Sequence, residues 1–294
     1  MSDSRSVAVL GLGAMGHAFA TNLLKADFDV TVWNRSPHKA TGLVENGARL
    51  AVSPADAVGL AKAVITMLPD LAVTREVLLG DGGALAAMPA GATLIQMGTL
   101  GAAETDRLIA EVGEVRDDIV FIDAPVSGTK APAEQGAIGI LASGDRDRAG
   151  AVVDPIFDVL GKQIHWLGQA GQGARMKVVV NAWLISMMQG IAETAHLADS
   201  LGFATDDLWQ VLDGGPLATP YMKLKLDMIA SGEFDPQMAM QWGLKDVGLA
   251  LEAGDDKALP SLSQIRNLWF DAVNAGYGEK DIAAIHAYLE KYRR

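Results

Sequence analysis

Residues 1 to about 165 alternate short β-rich apolar runs with stretches of helical spacing. The runs are Val7-Ala8-Val9-Leu10, Val30-Thr31-Val32-Trp33, Ala63-Val64-Ile65-Thr66-Met67-Leu68, Thr93-Leu94-Ile95-Gln96-Met97 and Ile119-Val120-Phe121-Ile122. This alternation predicts a parallel sheet with crossover helices. Beyond about residue 170 the strand signals fade. Long segments with helical apolar spacing follow, broken at Gly214-Gly215-Pro216, at Phe234-Asp235-Pro236 and around Pro260. The pattern therefore predicts two domains, an α/β domain over 1–165 and an all-α domain over 166–294. The first long helix, Ala174 to Leu201, is apolar on nearly every side and is expected to be buried all round, as a spine between domains or subunits.

The first strand leads into Gly11-Leu12-Gly13-Ala14-Met15-Gly16, which opens a helical stretch from Ala18 to Lys25. In that context a G-x-G-x-x-G run is a dinucleotide fingerprint, which makes the first domain a Rossmann-type, doubly wound fold. Gly11 permits the tight turn, Gly13 lets the backbone approach a pyrophosphate, and Gly16 allows close packing of helix on strand. The pyrophosphate then sits at a helix N-terminus, where unpaired N–H groups favour negative charge. After the second strand an NAD enzyme would place an acid for the ribose hydroxyls, but this chain has Asn34-Arg35-Ser36. The Arg35 guanidinium suits a 2′-phosphate, so NADP(H) is the expected cofactor; the alternative is a solvated loop arginine.

Lys177 stands near the start of the long apolar helix, with Asn181 one turn later on the same face. Lysine is rarely buried without a reason, and desolvation can bring it near neutrality as a proton donor. Reducing a carbonyl by hydride leaves an alkoxide that needs such a donor within hydrogen-bond reach. The competing account is a lysine that snorkels from the first helical turn.

Composition narrows the field. A formal net charge of -12 argues against a nucleic-acid partner, and the absence of cysteine excludes disulfides and thiolate metal sites. His17, His38, His165, His196 and His286 lack metal-ligand spacing, so no metal is expected. Neither a signal peptide nor an apolar run of membrane-spanning length is seen, so a cytoplasmic protein without membrane contact is expected. Asp206-Asp207 and Asp255-Asp256-Lys257 read as helix-start and solvated-loop features. Lys223 and Lys225 are expected on a solvated helix face, with steering of an anionic substrate as the alternative.

Four motifs in order resemble the β-hydroxyacid dehydrogenase family over essentially the whole chain. They are the glycine run from Gly11 to Gly16, then Asp123-Ala124-Pro125-Val126-Ser127-Gly128, then Gly171 through Lys177 with Asn181, and finally Lys245-Asp246. The resemblance implies that Ser127, Gly128, Thr129, Asn181, Met238 and Asp246 bind a small carboxylate substrate and that Lys177 is the acid/base. It also implies that Thr99 lies near the nicotinamide, that Met67-Leu68-Pro69 flanks the cofactor, and that Lys245 contacts it. The segment Ser127-Gly128-Thr129-Lys130-Ala131-Pro132-Ala133-Glu134 is most similar to the glyoxylate/succinic semialdehyde reductase branch, which uses NADPH to reduce small aldehyde acids. The family is commonly dimeric or tetrameric, so a homodimer or homotetramer is expected.

Two departures bear on the substrate. Met238 stands where that branch often has a pocket phenylalanine, eight residues before Asp246, with Trp242 nearby. Gln96-Met97-Gly98-Thr99 keeps the threonine of an Asp-Met-Ser-Thr segment but loses two polar side chains, and a methionine can adapt to several ligands, so a broader or different substrate range is expected. Three other readings stand beside the reductase: a 3-hydroxyisobutyrate-type dehydrogenase running in reverse, an imine reductase, and a non-catalytic assembly module.

Overall fold

The computed structural model describes residues 5–254 and 258–291, so Asp255-Asp256-Lys257 lie outside the described residues. The chain forms two compact units that divide between Lys177 and Val178.

The first unit holds strands β1 (Ser6–Leu10), β2 (Asp29–Trp33), β3 (Arg49–Leu50), β4 (Ala63–Thr66), β5 (Thr93–Gln96), β6 (Val120–Asp123), β7 (Val126–Ser127), β8 (Ile138–Gly144) and β9 (Gly161–Trp166). Their order is β3-β2-β1-β4-β5-β6-β8-β7, with β9 on β8. Its helices are α1 (Ala14–Lys25), α2 (Thr41–Glu45), α3 (Pro54–Val58), α4 (Leu71–Leu79), α5 (Ala84–Ala87), α6 (Ala102–Val115), α7 (Lys130–Glu134) and α8 (Arg146–Leu160), followed by the start of α9 (Gln172–Ser200).

Along β1, Val7 and Val9 enter one core layer with Phe19, Leu23 and Phe157, whereas Ala8 and Leu10 enter another with Val64, Leu78 and Leu94. Both faces of the strand are covered, which is why such strands are continuous apolar runs rather than alternating ones. Helix starts are fixed locally: Ser53, Asp70 and Asp145 accept hydrogen bonds from the N–H groups of Asp56, Val73 and Arg148.

The five strands expected from the sequence, β1, β2, β4, β5 and β6, pair in parallel, as expected, whereas the further strand β8 runs antiparallel to both β6 and β7. A parallel return needs a full crossover helix, and between β6 and β8 the chain supplies only β7 and the five-residue α7.

The second unit continues α9 and adds α10 (Thr205–Leu212), α11 (Pro220–Ser231), α12 (Met240–Ala253), α13 (Pro260–Ala272) and α14 (Ile285–Glu290). Asp206 and Asp207 lie in the first turn of α10, where Asp207 accepts from the Ala204 N–H. Ile185, Met188, Ala192 and Ala195 of α9 pack in one core with Val247 and Trp269. That stripe is only one side of the helix. Val179, Trp183 and Leu197 are exposed in the single chain, Trp183 to 64%, so within one chain α9 is buried along one side only. An apolar side chain is drawn inward only where a packing partner faces it. No helix among the described residues is long and apolar enough to cross a membrane.

Lys225 also departs from expectation. It is fully buried, 2.7 Å from Asp281, rather than on a solvated face. Its partner lies 56 residues downstream and leaves no local trace in the sequence.

Candidate active site

The glycine-rich loop joins β1 to α1. Gly11 has a positive φ of 101°, and a Cβ there would stand 2.4 Å from the Met67 carbonyl oxygen. A Cβ on Gly16 would stand 2.0 Å from the Gly11 carbonyl oxygen. Both positions therefore demand glycine for packing. Gly13 differs, since a Cβ there would meet nothing within 4 Å. It heads α1 with no side-chain cap and no acid in the first turn, and Gly13 and Ala14 are exposed. An uncapped, acid-free helix start with open space above its glycine has the form a pyrophosphate requires. Leu12 and Met15 turn inward, Leu12 fully and Met15 in part.

The end of β2 is tied to this loop. Asn34 Oδ1 accepts from the Leu12 N–H at 2.9 Å, while Asn34 Nδ2 donates to the Ser36 carbonyl at 3.1 Å. Arg35, between them, is exposed. After β4, Met67 and Leu68 are partly or wholly buried and Pro69 is exposed. After β5, Thr99 is half-buried. A Cβ on Gly98 would stand 2.6 Å from the Leu68 carbonyl oxygen, so the two loops approach too closely for a serine there. Gln96 keeps polarity in this segment: it accepts from Thr66 Oγ1 at 2.5 Å and donates to the Gly98 carbonyl at 2.9 Å. Four of these segments leave the same ends of adjacent parallel strands, where doubly wound sheets gather ligands.

Ser127 ends β7 opposite Gly139 of β8, Gly128 has a φ of 140°, and Thr129 heads α7. On the same unit, α9 begins against β6 and β8. The Gly173 N–H donates to Ser143 Oγ at 2.9 Å, and the Ala174 N–H donates to Asp123 Oδ2 at 2.8 Å. Ser143 Oγ in turn donates to Asp123 Oδ2 at 3.1 Å. Burial pushes the Asp123 carboxyl up to about 6, against the pull of these hydrogen bonds. Arg175 forms a fork with both carboxylate oxygens of Asp106 on α6, at 3.0 and 2.7 Å. Lys177 follows, 8% exposed.

In the second unit Asn181, 2% exposed, donates through Nδ2 to Asp246 Oδ2 at 2.5 Å, and Lys245 Nζ lies 3.6 Å from Asp246 Oδ1. Within the second unit the structure thus groups Lys245 with Asn181 and Asp246. Met238 is partly buried; its N–H donates to Asp281 Oδ2 at 3.2 Å. Sequence reasoning left Asp123 and Ser143 without roles. An acid closing the otherwise apolar strand Val120–Asp123 was the available signal.

Two family models match the chain. The NAD binding domain of 6-phosphogluconate dehydrogenase matches residues 6–168, and the NAD-binding domain of NADP-dependent 3-hydroxyisobutyrate dehydrogenase matches residues 171–289. Glyoxylate/succinic semialdehyde reductase 1 of Arabidopsis thaliana is 39% identical over 95% of this chain and 96% of its own length. The human cytokine-like nuclear factor N-PAC is 32% identical over 97% of this chain but only 52% of its own. Among solved structures, 3-hydroxyisobutyrate dehydrogenase (ygbJ) from Salmonella typhimurium superposes with a TM-score of 0.85 at 25% identity, covering 96% of this chain and 99% of that one.

Proposed function

Given that the chain belongs to the β-hydroxyacid dehydrogenase family and shares 39% identity with a glyoxylate/succinic semialdehyde reductase, we propose that it reduces a small aldehyde acid with NADPH, Lys177 supplying the proton. The observation that carries this reading is the burial of Lys177 one helical turn before the buried Asn181 on α9. An ammonium so placed meets the need of a developing alkoxide better than a solvated lysine does.

NADPH, when bound, would supply a hydride for the aldehyde carbon. The chain supplies the remainder. The first-turn N–H groups of α1 hold the pyrophosphate, Asn34 fixes the loop that presents them, and Arg35 takes the 2′-phosphate. Met67, Leu68, Pro69 and Thr99 confine the nicotinamide. Ser127, Gly128 and Thr129 bind the substrate carboxylate through hydroxyl and backbone donors. Lys177 then passes a proton to the carbonyl oxygen, giving the hydroxy acid. The bond from Asn181 Nδ2 to Asp246 orients the amide, leaving its Oδ1 as an acceptor for the lysine or the new hydroxyl. Met238 shapes the pocket, and Lys245 neutralises Asp246 or reaches the cofactor. Exposed Val179 and Trp183 on α9 support assembly as a homodimer or homotetramer.

The experiment is NADPH and NADH oxidation by purified protein with glyoxylate, succinic semialdehyde, tartronate semialdehyde and methylmalonate semialdehyde, with a cyclic imine as control. NADPH turnover on an aldehyde acid is the expected result. Turnover of the imine alone would replace this reading. Faster oxidation of 3-hydroxyisobutyrate than reduction of any aldehyde acid would favour the reverse reaction, which the similarity to the Salmonella enzyme supports.

A further inference from the structure

The start of α9 is held by the sheet rather than by a cap of its own. Two of the N–H groups that a helix leaves unpaired at its start are taken by Asp123, at the end of β6, and by Ser143, on β8. The contact is tight: a Cβ on Gly173 would stand 2.1 Å from the Leu141 carbonyl oxygen and 3.0 Å from that of Asp123. The same β8 pairs with β7 at Ser127, so one strand joins the proposed carboxylate loop to the helix that carries Lys177. Across the sheet, Asp123 is in register with Gln96 of β5, three residues before Thr99.

A side chain buried to 1% exposure need not be an acid merely to accept hydrogen bonds, since an amide or a backbone carbonyl accepts them without bringing an ionisable group out of water. A carboxylate adds charge at the positive end of α9, one turn before the lysine. Facing this carboxyl are Ser143 from β8, the amides at the start of α9, and the Arg175 guanidinium as the nearby charged group.

We infer that Asp123 is a positioning residue which, with Ser143, fixes the start of α9 on β6 and β8 and thereby the placement of Lys177 relative to the Ser127–Thr129 loop. This rests on the reading of Lys177 as proton donor. Small displacements of reacting groups are costly in rate, so loosening this anchor depresses kcat while leaving the nucleotide loops untouched.

The test uses the full chain with Asp123→Asn, Ser143→Ala and the conservative Ser143→Thr. Amide hydrogen exchange over residues 171–177, which needs no activity, is expected to accelerate by about tenfold in Asp123→Asn and Ser143→Ala, with β1 unchanged. In the same variants kcat for the aldehyde acid is expected to fall by about tenfold or more while the NADPH Kd stays within about twofold, and Ser143→Thr is expected to recover most of the loss. Unchanged exchange at 171–177, unchanged kcat, or equal losses of kcat and NADPH binding would each overturn the inference. If Asp123→Asn does not fold, the serine pair carries the test. Full turnover by Lys177→Ala would instead remove the proton-donor reading, while the exchange data would still report on the anchor.

Discussion

Lys225 Nζ lies 2.7 Å from Asp281 Oδ1 with both side chains out of reach of solvent. Asp281 also accepts from the N–H groups of Gln237, Met238 and Ala283, so the pair fixes the backbone that presents Met238. Removing one partner of a buried pair strands the other charge. Lys225→Met is therefore expected to lower unfolding stability by about 3 kcal/mol or more, read from the urea midpoint. A loss below about 1 kcal/mol would mean that the pair contributes little.

The glycines of the nucleotide loop separate fold from binding. Gly13→Ala has room for its methyl group within the protein, so its melting temperature is expected to stay close to that of the parent while NADPH affinity falls by about tenfold or more. Gly16→Ala has no such room and is expected to lose stability as well. Equal behaviour of the two in thermal unfolding would contradict this division.

Arg35 is exposed at the end of β2, where no carboxylate follows the strand. Arg35→Ala is expected to raise KM for NADPH by about tenfold while changing that for NADH by less than about twofold. Equal changes in steady-state assays with both nucleotides would remove the 2′-phosphate role.

Asp123 gives stability a defined pH dependence. Its carboxyl, ordinarily near 3.8, is raised to about 6 by burial, so between those values the folded chain keeps a proton that the unfolded chain has released. Its contribution is full below 3.8 and is lost as pH rises through about 6. The whole change amounts to about 3 kcal/mol as an upper figure. Denaturant unfolding from pH 4 to 7 is thus expected to show the parent losing stability relative to Asp123→Asn as pH rises. Parallel curves would refute it.

The strands were legible where both faces are buried, because Val7–Leu10 and Ala63–Leu68 then become uninterrupted apolar runs. β8 and β9 were not, because glycines break Ile138–Gly144 and polar residues interrupt Gly161–Trp166. The glycine loop was legible through its context after a strand. Distant pairings were hidden: Asp281 lies far from Lys225 in sequence, and although an acid closes the apolar strand Val120–Asp123, nothing local showed that it and Ser143 would hold the start of α9. Nor could composition separate the core stripe of α9 from its exposed Val179 and Trp183, since both are apolar.

The proposed reduction depends on Lys177 as proton donor. Turnover of an aldehyde acid and NADPH binding, measured side by side for the parent and Lys177→Ala, test it most directly. In Lys177→Ala, kcat/KM is expected to fall by about a thousandfold or more, with the NADPH Kd changed by less than about threefold. Turnover within tenfold of the parent, or loss of NADPH binding in step with activity, would contradict it.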